Sequence, residues 1–170
     1  MARHARIAAA LLLSVAAGGA TLIASERSEQ TVIRSRDFTI APGQCPQLPG
    51  GVEVKGLGLE RTTTTVTSAE DDRSHQPDDG LTYTLLSRID GAATDNLGGT
   101  YRFRYRLRFK KPAVVPGTAI AVDTFELSGT GAADGMSTFV KLRVTLDSGA
   151  NPIAFEILEQ SGNPFQCDPL

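Results

Sequence analysis

Residues 101–110, "YRFRYRLRFK", alternate without a break. Tyr101, Phe103, Tyr105, Leu107 and Phe109 take the odd positions; Arg102, Arg104, Arg106, Arg108 and Lys110 take the even ones. Successive side chains of a strand point to opposite faces, so one face of this segment is apolar and the other cationic. A helix would scatter both sets around its axis. The segment therefore predicts a strand whose odd side covers a core while the cations stand in solvent, their stems lying over neighbouring residues. The inverse arrangement, with aromatics outward and arginines lining a lumen, is the pattern of outer-membrane barrels. The other apolar segments are short and lack comparable bands, which argues against it.

Period-2 patterns recur along the rest of the chain. "GVEVKGLGLERTTTTVT" (51–67), "LTYTLLSRI" (81–89), "GTAIAVDTFELSG" (117–129), "STFVKLRVTLD" (137–147) and "NPIAFEILEQ" (151–160) each read as strands. Gly, Asp, Asn and Pro turns separate them, and no convincing helical period appears after residue 26. In 51–67 the apolar set moves from Val52 and Val54 to Leu57 and Leu59, which predicts a change of face at a bulge near Gly56. The fold expected is all-β: a single antiparallel β-barrel or β-sandwich of about 7–8 strands. There is no internal repeat and no second domain.

The first 25 residues stand apart. Arg3 and Arg6 precede an apolar run, 7–24, that ends in small residues. That is the layout of a secretory signal peptide, cleaved after Ala20 or Ala24. The run is also close to the roughly 20 residues needed to span a bilayer, so an uncleaved N-terminal anchor is the alternative. The chain divides into 1–25, signal or anchor; 26–50, an irregular polar and Pro-rich lead-in whose first part, 26–36, is a tether or a loose first strand; and 51–170, the β domain. The reading is a secreted protein, or one held at the outer face of the cytoplasmic membrane.

Two cysteines, Cys45 and Cys167, lie near the two ends of the mature chain. An even count in an exported chain favours a disulfide over metal ligation. Such a bridge places the first and last strands side by side. No metal site, and no cofactor, is expected.

The full chain carries a formal charge of −2; without Arg3 and Arg6 it becomes −4, from 15 basic and 19 acidic residues. The molecule as a whole is therefore no general polyanion binder, yet the row Arg102, Arg104, Arg106, Arg108 and Lys110 concentrates positive charge. Its cations recur roughly every 6.7 Å along an ideal strand, a workable spacing for phosphates or sulfates. Single-stranded nucleic acids need bases stacked on aromatics beside the positive groove. Here the aromatics face the other way, so no nucleic acid is expected. An anionic cell-envelope polymer on this row, or a small apolar ligand inside a barrel, are the candidate partners of a monomeric chain. A membrane is expected only through residues 7–24.

Catalytic motifs are sparse. His75 is the one histidine after residue 25 and lies in an acidic stretch, "AEDDRSHQPDDG" (69–80), that lacks the spacing of an EF-hand loop. That stretch reads as a solvated loop, and "GTGAADG" (129–135) as a hairpin connection with no following helix to bind phosphate. The most interesting acid is Asp123, which shares its face with Phe125 and Leu127 and so points inward if they do. A buried carboxylate must be hydrogen-bonded, paired or protonated. Asp123 is thus the candidate general acid of a carboxylate-dependent enzyme, and such a site needs a second acid or a tyrosine beside it. Glu156, alternating with Phe155 and Ile157, should face water.

From "GGTYRFRYRLRF" through "DTFELSGTG", "VKLRVTLDSG" and the terminal "FQCDP", the chain resembles a loose group of short exported β-rich proteins of high-GC Gram-positive bacteria. In strand rhythm it is also similar to small lipocalin-like and allene-oxide-cyclase-like barrels. The resemblance implies export, a compact β fold and a Cys45–Cys167 pairing. It implies no catalytic residue.

Overall fold

The computed structural model describes residues 28–67, 82–112 and 115–170. The segment 1–25, His75 and the acidic stretch 69–80 lie outside the described residues.

Seven strands form one sheet: β1 Ser28–Ile40, β2 Val54–Thr67, β3 Thr82–Asp95, β4 Thr100–Pro112, β5 Gly117–Thr130, β6 Ser137–Leu146 and β7 Pro152–Gly162. They follow one another in chain order, each antiparallel to the next. A short 3-10 helix, Phe165–Cys167, lies near the C-terminus. The fold is all-β, as the alternation requires, but the sheet is not closed into a barrel: among the described residues β1 and β7 remain its two edges. Among those residues no helix is long and apolar enough to cross a membrane.

The first strand occupies much of the stretch read as an irregular lead-in. Its pairing with β2 runs unbroken from Ser28↔Val66 to Ile40↔Val54. Irregular chain is confined to the segment between β1 and β2, where Pro42, Pro46 and Pro49 cluster.

The sheet coils about its odd face on β4. Phe38 on β1 meets Phe103 on β4 and Phe125 on β5 edge-on, with ring centroids 4.8 and 5.3 Å apart. Tyr101, Phe103, Tyr105 and Leu107 are all buried in this interior, together with Ile40, Val54, Ile89, Phe125, Leu127, Val140 and Leu146. Phe109, the last odd position of the alternating segment, is partly buried against the same core.

The bulge expected near Gly56 is absent. Register is continuous through both ladders of β2, and Leu57 and Leu59 simply face outward, 63% and 64% exposed. The inward positions here are glycines. A Cβ on Gly56 would collide with the Phe38 ring, and one on Gly91 with the Phe103 ring and the Leu57 carbonyl. The apolar pattern breaks because the interior space is filled from β1, β3 and β4 here, leaving no room for side chains at positions 56 and 58 of β2.

Cys45 and Cys167 are bridged, with Cα atoms 4.6 Å apart, so the chain after β1 is tied to the chain after β7. The strands themselves do not pair, contrary to the side-by-side arrangement expected; the bridge holds one end of the coil. Asp95 closes the same end. Its carboxylate accepts from the backbone of Leu97 and Gly99 and from the Tyr101 hydroxyl, which in turn accepts from the Ala133 N–H. β7 stays outside the core: every residue from 153 to 162 is exposed. Glu156 faces water as expected and pairs with Arg143 at 2.6 Å.

Candidate functional site

The even positions of β4 form the middle of the convex outer face. Arg102, Arg104, Arg106, Arg108 and Lys110 are all exposed. On one side they stand opposite Ser128, Glu126, Thr124, Val122 and Ile120 of β5. On the other, Ala92, Asp90, Arg88, Leu86 and Thr84 of β3 face them. Arg106 therefore meets a further arginine, Arg88, and Arg88 meets Arg61 of β2 on its far side. Three guanidinium stems lie in one line across three adjacent strands, at a strand spacing of about 4.8 Å.

Neutralisation of this face is incomplete. Arg104 reaches Asp90 at 3.5 Å and Glu126 at 3.8 Å. Among the described residues, Arg61, Arg88, Arg102, Arg106 and Arg108 have no ion-pair partner. The outward positions of β2, β3 and β4 hold eight cations, with Lys55, Arg61 and Arg88 joining the five of β4. Lys55 pairs with Glu53 at 2.9 Å, and Arg104 with Asp90 and Glu126, which leaves the line of Arg61, Arg88 and Arg106 unpaired among the described residues. Like charges directly opposite one another on a sheet are destabilising. The arrangement concentrates positive potential that an array of anions would neutralise.

Asp123 does point inward and is buried, as is Asp168 of the C-terminal tail. The Tyr105 hydroxyl donates to Asp123 Oδ2 at 3.4 Å, whereas Asp123 Oδ1 is buried without a partner. Thr138 donates its hydroxyl to Asp168 Oδ2 at 3.1 Å, and the Leu170 N–H donates to Oδ1 at 3.0 Å. Burial, and then the charge of Asp168, push Asp123 up to about 8. Burial also pushes Asp168 up, to about 6. Tyr105 is raised as well, first by burial and then by the charge of Asp123. Protonation of one acid removes the repulsion and gives it a donor.

A second buried acid site lies on β2. Glu60 accepts from Ser87 at 2.7 Å and pairs with Arg34 and Arg36 of β1 at 2.5 and 3.1 Å. Burial raises this carboxyl, but hydrogen bonds from Arg34 and Ser87 and the two arginine charges outweigh it and hold it below the usual range. The group fastens the edge strand β1 to the sheet.

Two acids and a tyrosine are the composition of a general acid–base centre. Chemistry there would also require access for a substrate. A depression of about 290 Å³ lies between Lys55, Gly56, Leu57 and Ala92–Thr94, and another of about 140 Å³ beside Leu48 and Met136. Neither is lined by Tyr105, Asp123 or Asp168. The Thr138–Asp168 bond ties the tail that follows Cys167 to β6.

The sequence pointed to the five cations of β4 and to Asp123, but not to their companions. Arg61 and Arg88 join the patch only through register. Asp168 enters the interior because the neighbouring Cys167 is held against Cys45; adjacency to a bridged cysteine was the one available signal. Compared with known protein families, curated proteins and solved structures, the chain matches none of them.

Proposed function

We propose that this chain is an exported, non-enzymatic binding module that receives an array of anions on the convex face of β2, β3 and β4. One observation carries the reading: Arg61, Arg88 and Arg106 stand in register without a carboxylate among the described residues to offset them. A purely solvated outer face gains nothing from such a line, since placing acids at 88 or 61 would stabilise the same ladder. The arginines are exposed, whereas Asp123 and Asp168 are buried, so the arginines are the groups that meet a ligand at the surface. Export is supported by the cationic start and apolar run of residues 1–25 and by the Cys45–Cys167 bridge. The test is retention on a heparin matrix across a salt series. The protein should be held despite its negative net charge, and Arg88→Ser/Arg106→Ser should elute at clearly lower salt. Passage of the unaltered protein at low salt overturns the proposal.

A further inference from the structure

We infer that the anionic partner of the convex face is a phospholipid bilayer surface, touched by the arginines and by an apolar patch beside them. This rests on the reading of that face as an anion site and narrows it.

The second observation is apolar. Ile33, Leu57 and Leu59 are 58%, 63% and 64% exposed on the same outward side of β1 and β2. Leu57 stands opposite the exposed Ala92, one strand from Arg102; Leu59 is opposite Asp90, one strand from Arg104; Ile33 is opposite Arg61. The patch is thus flush with the cationic rows rather than separate from them. The 290 Å³ depression opens inside it, between Leu57 and Ala92 with Lys55 at its rim. Exposed large aliphatics in contiguous positions mark an interaction surface rather than a solvated face.

Charge and apolarity together select the partner. A soluble polyanion, whether a sulfated sugar or a polyphosphate chain, offers nothing for Leu57, Leu59 and Ile33 to enter. A bilayer bearing anionic headgroups offers both: charges at the surface for the arginines and, a few ångströms deeper, acyl chains for the aliphatics. Asp37 and Asp90 are the acids within the patch, and Asp90 is engaged by Arg104. The chain would lie with β1–β4 against the membrane.

The full chain contains no tryptophan, so Leu57→Trp introduces a single reporter at the centre of the patch. Its emission is followed with vesicles of phosphatidylglycerol carrying brominated acyl chains, and with matching phosphatidylcholine vesicles. A reporter at the patch answers for this face whatever residues 7–24 do in the bilayer. The expected result is a blue shift and bromine quenching with the anionic vesicles only, and an apparent affinity reduced roughly ten-fold or more when Arg88→Ser/Arg106→Ser is added. The Leu57→Trp protein with its arginines intact should still be retained on heparin. Retention on heparin without any shift or quenching overturns the bilayer inference and leaves a soluble polyanion as the ligand. Failure on both heparin and vesicles overturns the anion-site reading itself. Equal quenching in both vesicle types would also contradict the inference, because the arginines would then contribute nothing.

Discussion

Arg88 stands directly opposite Arg106 across the β3–β4 ladder, with no carboxylate among the described residues to separate them. Each such like-charge pair costs the fold a fraction of a kcal/mol, up to about 1 kcal/mol. Arg61 extends the same line. Replacing Arg88 and Arg106 by serine should therefore leave the folded state equally stable or more stable. Thermal unfolding should show an unchanged or raised midpoint. A loss exceeding about 1 kcal/mol would mean that the arginines hold the sheet together.

The buried pair Asp123 and Asp168 should make the protein less stable as pH rises. Both carboxyls are raised in the folded state, so the unfolded chain releases their protons first. Their contribution is complete below the ordinary carboxylate range and is lost as pH climbs through about 6 and then about 8. Glu60, Asp95 and Asp147 are lowered and act in the opposite sense, weakening the fold only as pH falls below the carboxylate range. Urea unfolding should show greater stability near about pH 5 than near about pH 8.5. Asp123→Asn, which copies the protonated acid, should flatten most of that slope. A slope unaffected by the substitution would assign the effect elsewhere.

The bridge between Cys45 and Cys167 closes 122 residues of sequence separation. In the chain-entropy model a loop of this size contributes about 4–5 kcal/mol. Cys45→Ser should lower the unfolding midpoint by many degrees, and reducing agent should do the same to the unaltered protein. A shift of only a degree or so would show that the packing of Phe38, Phe103 and Phe125 carries this end of the coil without the bridge.

Gly91 lies against the Phe103 ring and faces Gly58 across the β2–β3 ladder. Gly91→Ala places a methyl group against that ring and the Leu57 carbonyl, one of them rigid backbone. The expected loss is about 1–3 kcal/mol, measured by denaturant unfolding. A neutral result would mean that the coil relaxes around the added carbon.

Strand identity was legible because period 2 is a local property. The odd side of residues 101–110 is buried as its alternation demands, and the hairpin connections fall at Gly- and Asn-bearing turns such as that between Leu146 and Pro152. What the chain conceals is set by partners distant in sequence. Leu57 and Leu59 read as core residues, yet they face outward because Phe38 and Phe103 already occupy the space over Gly56 and Gly91. β1 was legible only as a tether or a loose first strand, because its alternation is interrupted by Arg34 and Arg36, whose inward direction makes sense only once Glu60 is found buried beneath them. The site was half legible for the same reason. Five of its cations lie on one strand, while Arg61 and Arg88 needed the register of β2, β3 and β4.

The most direct test of the central claim compares two variants of equal charge on a heparin matrix. Arg88→Ser/Arg106→Ser removes two cations from the line; Lys141→Ser/Arg143→Ser removes two from β6, where Arg143 is already paired with Glu156. If the convex face of β2–β4 is the anion site, the first variant elutes at much lower salt than the unaltered protein and the second stays close to it. Equal displacement of both variants would show that retention follows net charge alone, and would contradict a site built on Arg61, Arg88 and Arg106.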